Sequence, residues 1–209
     1  MIKKLKPMEI ENKSFEIISE ELGDVVLDEL EAPIIKRVIH TSADFDYAKN
    51  LVFSKDVVKI AHDALNEGGL TIVSDTNMVK AGINKNHLAK FNSSVECFIQ
   101  DEDIALAAKE NETTRSAMSM QKASKLEKPV IFAIGNAPTA LIEIERLVKE
   151  ENFKPVMIIA VPVGFVNVVE SKELIEQLDV PYIIAKGRKG GSNVAAAIVN
   201  ALMYETIKR

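Results

Sequence analysis

The residues best suited to chemistry in this chain are one histidine, three arginines and a glycine-rich turn. His40 stands in KRVIHTSAD, three residues after Arg37. If 32–41 is helical, the two side chains share a face, because residues three apart are neighbours on a helix. An imidazole gives or takes a proton near neutral pH, and a guanidinium one turn away holds a carboxylate through its fork of N–H groups. The segment GRKGGSN supplies Gly187, Gly190 and Gly191 for a tight turn, and Ser192 opens a long helical pattern. Free N–H groups and the helix dipole then make a cradle for a carboxylate or phosphate, with Arg188 and Lys189 adding charge. The competing reading is a plain strand-to-helix turn carrying a solvated basic pair. Arg115, in ETTRSAMSM, follows a threonine pair at an expected helix start, where anion binding and a purely structural role are equally open.

Other reactive side chains read as bland. His62 lies in an amphipathic helical pattern and His87 in GINKNHLAK, each as a solvated or locally bonded residue. Three scattered histidines and the single Cys97 give no metal-ligand spacing. Cys97 falls in an apolar run, where a small buried side chain is expected. Asp44, Asp46, Asp75 and Glu96 are possible acid–base partners, but nothing in their spacing selects a pair. GxSxG, GxGxxG and Walker patterns are absent, which argues against a nucleotide-binding α/β enzyme, the more distant alternative.

The elements that must position these residues alternate. Short β-rich runs at 70–74, 95–99, 129–134, 155–161 and 181–185 are separated by helical patterns, and the last four are apolar enough to be covered on both faces. Helical spacing is predicted at 9–22, 32–41, 56–66 and 138–151, and at 171–178 and 192–207, the last two behind serine N-caps. Strand–helix alternation requires crossover connections, hence an α/β fold with a mostly parallel sheet flanked by helices. Ligands of such sheets gather beyond the carboxyl ends of the strands. The polar segments 74–82, 135–139, 162–167 and 186–193 all follow expected strands, so one rim can gather them into one site.

Composition sets the outer limits. The 209 residues are 47% hydrophobic and 27% charged, the balance of one ordinary globular domain spanning 1–209. A net charge of −5 argues against non-specific binding to nucleic acid or an anionic membrane surface. The longest apolar run, 156–163, contains Pro162 and is far shorter than the ~20 residues a spanning helix needs. With no signal-peptide pattern at the start, a cytoplasmic location is expected.

Six segments in order, RVIHTSAD, SDTNMVKAGI, TRSAMSM, GNAPTAL, PVGFVNVVESKE and GRKGGSNVAAAIVNAL, resemble the precorrin-8X methylmutase family, from about Ile10 to the C-terminus. Asn77 and Asn167 depart from the family pattern at the pocket edge. The resemblance implies a flavodoxin-like three-layer fold and a homodimer with its site near the subunit interface. It implies an isomerase of corrin biosynthesis that moves a methyl group from C-11 to C-12 of precorrin-8 or its cobalt form. His40 is then the proton donor and acceptor, with Arg37 and Ser14 at the substrate. No cofactor is implied, and any cobalt arrives in the carboxylate-rich tetrapyrrole. A non-catalytic corrinoid carrier is the alternative.

Overall fold

Four short runs of Ile, Val and Ala pair side by side because each is apolar on both faces. The computed structural model describes residues 6–208. Its strands are β1 (Leu51–Phe53), β2 (Thr71–Ser74), β3 (Ser94–Glu96), β4 (Val130–Ile134), β5 (Met157–Ala160) and β6 (Tyr182–Ala185). The longer helices, in chain order with the short ones, are α1 (Pro7–Leu22), α2 (Ala32–Ser42), α3 (Tyr47–Asn50), α4 (Val57–Glu67), α5 (Asn77–Gly82) and α6 (Lys85–Leu88). They continue as α7 (Glu102–Glu110), α8 (Arg115–Ala123), α9 (Pro138–Glu150), α10 (Val168–Glu176) and α11 (Ser192–Lys208).

The sheet order is β1-β6-β5-β4-β2-β3, parallel throughout except for β1, which pairs antiparallel with β6. Counting the five parallel strands alone gives the order 2-1-3-4-5, that of flavodoxin-like sheets. The period-2 alternation of side chains splits the core in two. Ile131, Ala133, Met157 and Ile159 point towards α1, α2, α4 and α11, while Phe132, Ile134, Ile158 and Ala160 point towards α8, α9 and α10. Small buried residues of α11, among them Ala195 and Ala201, let it lie close along α2.

Two local expectations need correction. The strand expected at 95–99 stops at Glu96. It is an edge strand with only Val95 buried, and the chain then turns as the Asp101 N–H bonds the Phe98 carbonyl at 3.0 Å. Ser171 is no N-cap: α10 starts three residues earlier, behind Asn167 in the left-handed region (φ 56°), and the buried Ser171 hydroxyl donates to the Val168 carbonyl. Asparagine tolerates that conformation better than most residues. The three-residue β1 has too little pattern to be read from sequence.

Candidate functional site

His40 lies in the last turn of α2, exposed, with its ring centroid 5.3 Å from that of Phe15 on α1. Pro33 begins this helix and Ala43, at φ 54°, ends it. The i,i+3 expectation holds: Arg37 sits over the same Phe15 ring at 4.8 Å and over Tyr204 of α11 at 5.2 Å. Its guanidinium also meets Glu11 at 2.8 Å. Below it opens a cavity of about 370 Å³, lined by Phe15, Ala32, Pro33, Arg37, Ala201 and Glu205. Ser14 is next to Phe15 in sequence, and its hydroxyl donates within α1 to the Ile10 carbonyl.

The GRKGGSN segment forms a strap between β6 and α11. Gly187 takes φ +73° with open space around it, whereas Gly190 (φ +156°) presses its Cα against Val161, so that a Cβ there would lie 2.1 Å from the Val161 carbonyl oxygen. Two contacts fasten it from below. The Nζ of Lys172, on α10, donates to the carbonyls of Gly187 and Lys189 at 2.8 and 2.9 Å. The Gly191 N–H donates to the Val161 carbonyl at 2.8 Å, so this amide is spent on the fold and is not the free donor expected of it. Ser192 is likewise engaged, its hydroxyl 2.9 Å from that of Thr76.

Lys189 also departs from expectation. Its ammonium binds Asp44 and Asp46, both at 2.6 Å, and these carboxylates push its pKa up while Lys189 holds that of Asp44 below the usual carboxylate range. The charge is committed to tying the strap to the chain just past His40. Arg188 is left as the strap's available cation: exposed, 5.4 Å above the Phe165 ring, with no ion-pair partner among the described residues. Phe165, Val163 and Val166 are exposed around it on the β5–α10 loop.

The switch point of the sheet, between β2 and β4, is closed from within. Asp75 follows β2, is 1% exposed, and accepts the N–H groups of Gly135, Asn136 and Ala137 at 2.9, 2.8 and 2.6 Å. Burial pushes its carboxyl up, against the three donors, which favour the anion. Gly135 is packed so tightly on Ser192 that a Cβ would lie 2.7 Å from the Ser192 Cα. Three amides of the 135–139 segment are therefore spent on the protein itself, while the contacts of Thr76 and Gly135 with Ser192 and of the Gly164 N–H with the Arg188 carbonyl bring all four polar segments together at one rim.

Arg115 starts α8, in the helical layer on the far side of the sheet from His40. Thr114 caps that helix and donates to Thr139 at 2.9 Å, which holds Arg115 at the rim, exposed and without an ion-pair partner among the described residues. His62 is neither solvated nor locally bonded, but buried and bonded to Thr206 of α11. His87 packs edge-on to Tyr204. Burial pushes the Cys97 thiol up, in keeping with an inert core residue. Among the described residues no group of His, Cys, Asp and Glu could hold a metal ion, and no helix is long and apolar enough to cross a membrane. Lys172 escaped the sequence reading although a signal existed: with Val168, Ser171 and Ile175 it occupies the i, i+3, i+4, i+7 face that α10 buries.

The fold is a doubly wound α/β sheet whose switch-point crevice is filled by one of its own carboxyl groups, Asp75. Comparison with known proteins narrows the class. The model of the precorrin-8X methylmutase family matches residues 9–205. The chain is 45% identical over 198 residues to the cobalt-precorrin-8 methylmutase of Priestia megaterium, covering 95% of this chain and 88% of the relative. The corresponding protein of Methanocaldococcus jannaschii is 46% identical, with 94% and 92% covered. Among solved structures, precorrin-8X methylmutase from Thermus thermophilus superposes with a TM-score of 0.87 at 31% identity, covering 95% of this chain and 98% of that one. The chain belongs to the precorrin-8X methylmutase family and is a methyl-shifting isomerase.

Proposed function

We propose that this isomerase moves a methyl group from C-11 to C-12 of precorrin-8 or its cobalt form, giving hydrogenobyrinate or cobyrinate, with His40 as proton donor and acceptor. The observation that supports this best is the placement of His40. It is exposed, braced by Phe15, and lies one turn before the aspartates that anchor the Arg188 strap. An acid thus stands beside an anion-holding surface, which a flat, carboxylate-fringed ring requires.

In this reading Arg37 and Ser14 meet the substrate from the α1–α2 side and Arg188 from the strap. Gly187, Gly190, Gly191 and Ser192 bind by shaping that strap, and Arg115 reaches the ring's edge from the opposite layer. A proton passed from His40 to the conjugated ring leaves the migration terminus electron-poor. The methyl then moves with its bonding pair from C-11 to C-12, and loss of a proton back to the imidazole restores conjugation. Electrons and atoms balance within one molecule, so the reaction consumes no redox cofactor, and cobalt enters only as part of the substrate. Charge-assisted bonds of ~1.5–3 kcal/mol each are enough to offset the chain's net negative charge. We assign the active form as a cytoplasmic homodimer; light scattering tests the dimer and cell fractionation the location.

The deciding experiment is His40→Ala, offered metal-free and cobalt-containing precorrin-8 in excess. Product binding should persist while the single-turnover rate falls ~10²–10⁴-fold, the usual worth of a positioned acid–base group. A variant that turns over at the wild-type rate rules His40 out. A wild-type protein that binds the ring without converting excess substrate is a carrier.

A further inference from the structure

Lys172 does more than fasten the strap. It is 2% exposed on α10, directly beneath the strap, and no carboxylate among the described residues pairs with it. Desolvating an ammonium is costly without compensation, so a lysine in this place calls for an explanation. Both of its contacts are backbone carbonyls, those of Gly187 and Lys189, on either side of Arg188.

Those two contacts fix more than position. In a trans peptide the carbonyl and the following N–H point in opposite directions across a rigid plane. The chain has no cis peptide bond among the described residues. Drawing the Gly187 and Lys189 carbonyls inward to Nζ therefore turns the N–H groups of Arg188 and Gly190 outward. Neither amide donates to another group among the described residues. The carbonyl of Arg188 is taken in turn by the Gly164 N–H at 3.3 Å, which removes an acceptor that would repel an anion.

We propose that Lys172 is a positioning residue that turns the strap into an anion nest, in which the Arg188 and Gly190 amides and the Arg188 guanidinium receive one carboxylate of the substrate. Neighbouring outward N–H groups of a turn form anion-binding concavities elsewhere. The depressed pKa of Lys172, about 8 through burial, fits an ammonium held by carbonyls alone. The proposal rests on the strap being substrate-facing, and it adds which atoms do the holding.

The first test uses the wild-type protein. Amide exchange at Arg188 and Gly190, followed by NMR on ¹⁵N-labelled chain, should slow on saturation with hydrogenobyrinate. Exchange unchanged in a sample that binds hydrogenobyrinate and turns over precorrin-8 overturns the nest while leaving the isomerase reading intact. Failure of the wild-type chain to bind hydrogenobyrinate at all defeats that broader reading instead. The second test is Lys172→Met, with KM expected to rise about tenfold or more and kcat to change less than threefold, since the lost interaction is with bound ligand rather than the reacting atoms. Lys172→Arg, whose fork still donates to two carbonyls, should recover most of the KM. A Lys172→Met protein that melts earlier but keeps the wild-type KM shows a merely structural lysine and overturns the proposal.

Discussion

The imidazole of His40 and the phenyl ring of Phe15 lie with centroids 5.3 Å apart at a 30° tilt, and the same phenyl ring carries the Arg37 guanidinium 4.8 Å from its centroid. One aromatic residue of α1 thus packs against both the proposed acid–base residue and a proposed substrate-binding residue of α2. Phe15→Ala should lower kcat about tenfold, because a freely rotating imidazole is seldom aligned with its proton acceptor. Combined with His40→Ala, the Phe15 change should cost nothing more in kcat, since its catalytic effect runs through the missing ring. Steady-state rates of the four proteins with excess precorrin-8 check this. An additive double variant would show that Phe15 acts by another route.

Two glycines of the strap serve different physical ends, and alanine scanning separates them. Gly187→Ala meets open space but keeps φ at +73°, so it should cost about 1 kcal/mol of stability. Gly190→Ala places a methyl 2.1 Å from the Val161 oxygen, and the backbone must move. About 3 kcal/mol or more is expected, with loss of hydrogenobyrinate affinity. Urea midpoints of the two variants give the comparison directly.

Asp75→Asn removes one of the two oxygens that receive three amide protons. Whichever way the new amide turns, its NH₂ faces at least one N–H. A loss of about 3 kcal/mol follows from stranding a buried donor against the new NH₂ group. The folded fraction should keep its kcat, since Asp75 is walled off from the exposed surface. A drop in kcat without a drop in melting temperature would contradict this.

Lys172 gives stability a pH dependence of known sign. Its folded-state pKa, about 8, is below the ordinary 10.5, so the unfolded chain binds the proton more tightly. Burial of the ammonium costs stability below pH 8, and the cost is relieved as pH rises from 8 towards 10.5. The stability of wild type relative to Lys172→Met should therefore increase by up to ~3 kcal/mol across that window. Denaturant titrations of both proteins at pH 7.5 and 10 measure the difference and cancel groups common to both. A flat difference would mean that the lysine is solvated.

Much of this architecture was legible in the residues. The runs around β4, β5 and β6 are long and apolar enough to read as doubly covered strands, and the 37–40 spacing placed Arg37 and His40 on one face. Less visible were features made by contacts distant in the chain. Nothing local in RKGG tells Lys189 apart from Arg188. Only the fold brings Asp44 and Asp46, more than 140 residues away, to one of them. The 135–139 segment read as an open ligand loop because the carboxylate that fills it comes from the end of β2. The short edge pairing of β1 with β6 depends on register, not on propensity. Lys172 is the instructive miss, because a lysine on the apolar stripe of an amphipathic helix is itself a sequence-level anomaly.

The carboxylate at the end of β2 has a consequence for what this scaffold can become. A doubly wound sheet ordinarily offers its central crevice to phosphate groups, and here the amides of that berth are taken by a carboxyl group covalently part of the chain. A flavin or pyridine nucleotide would find those amides already spent at the spot where the topology invites it.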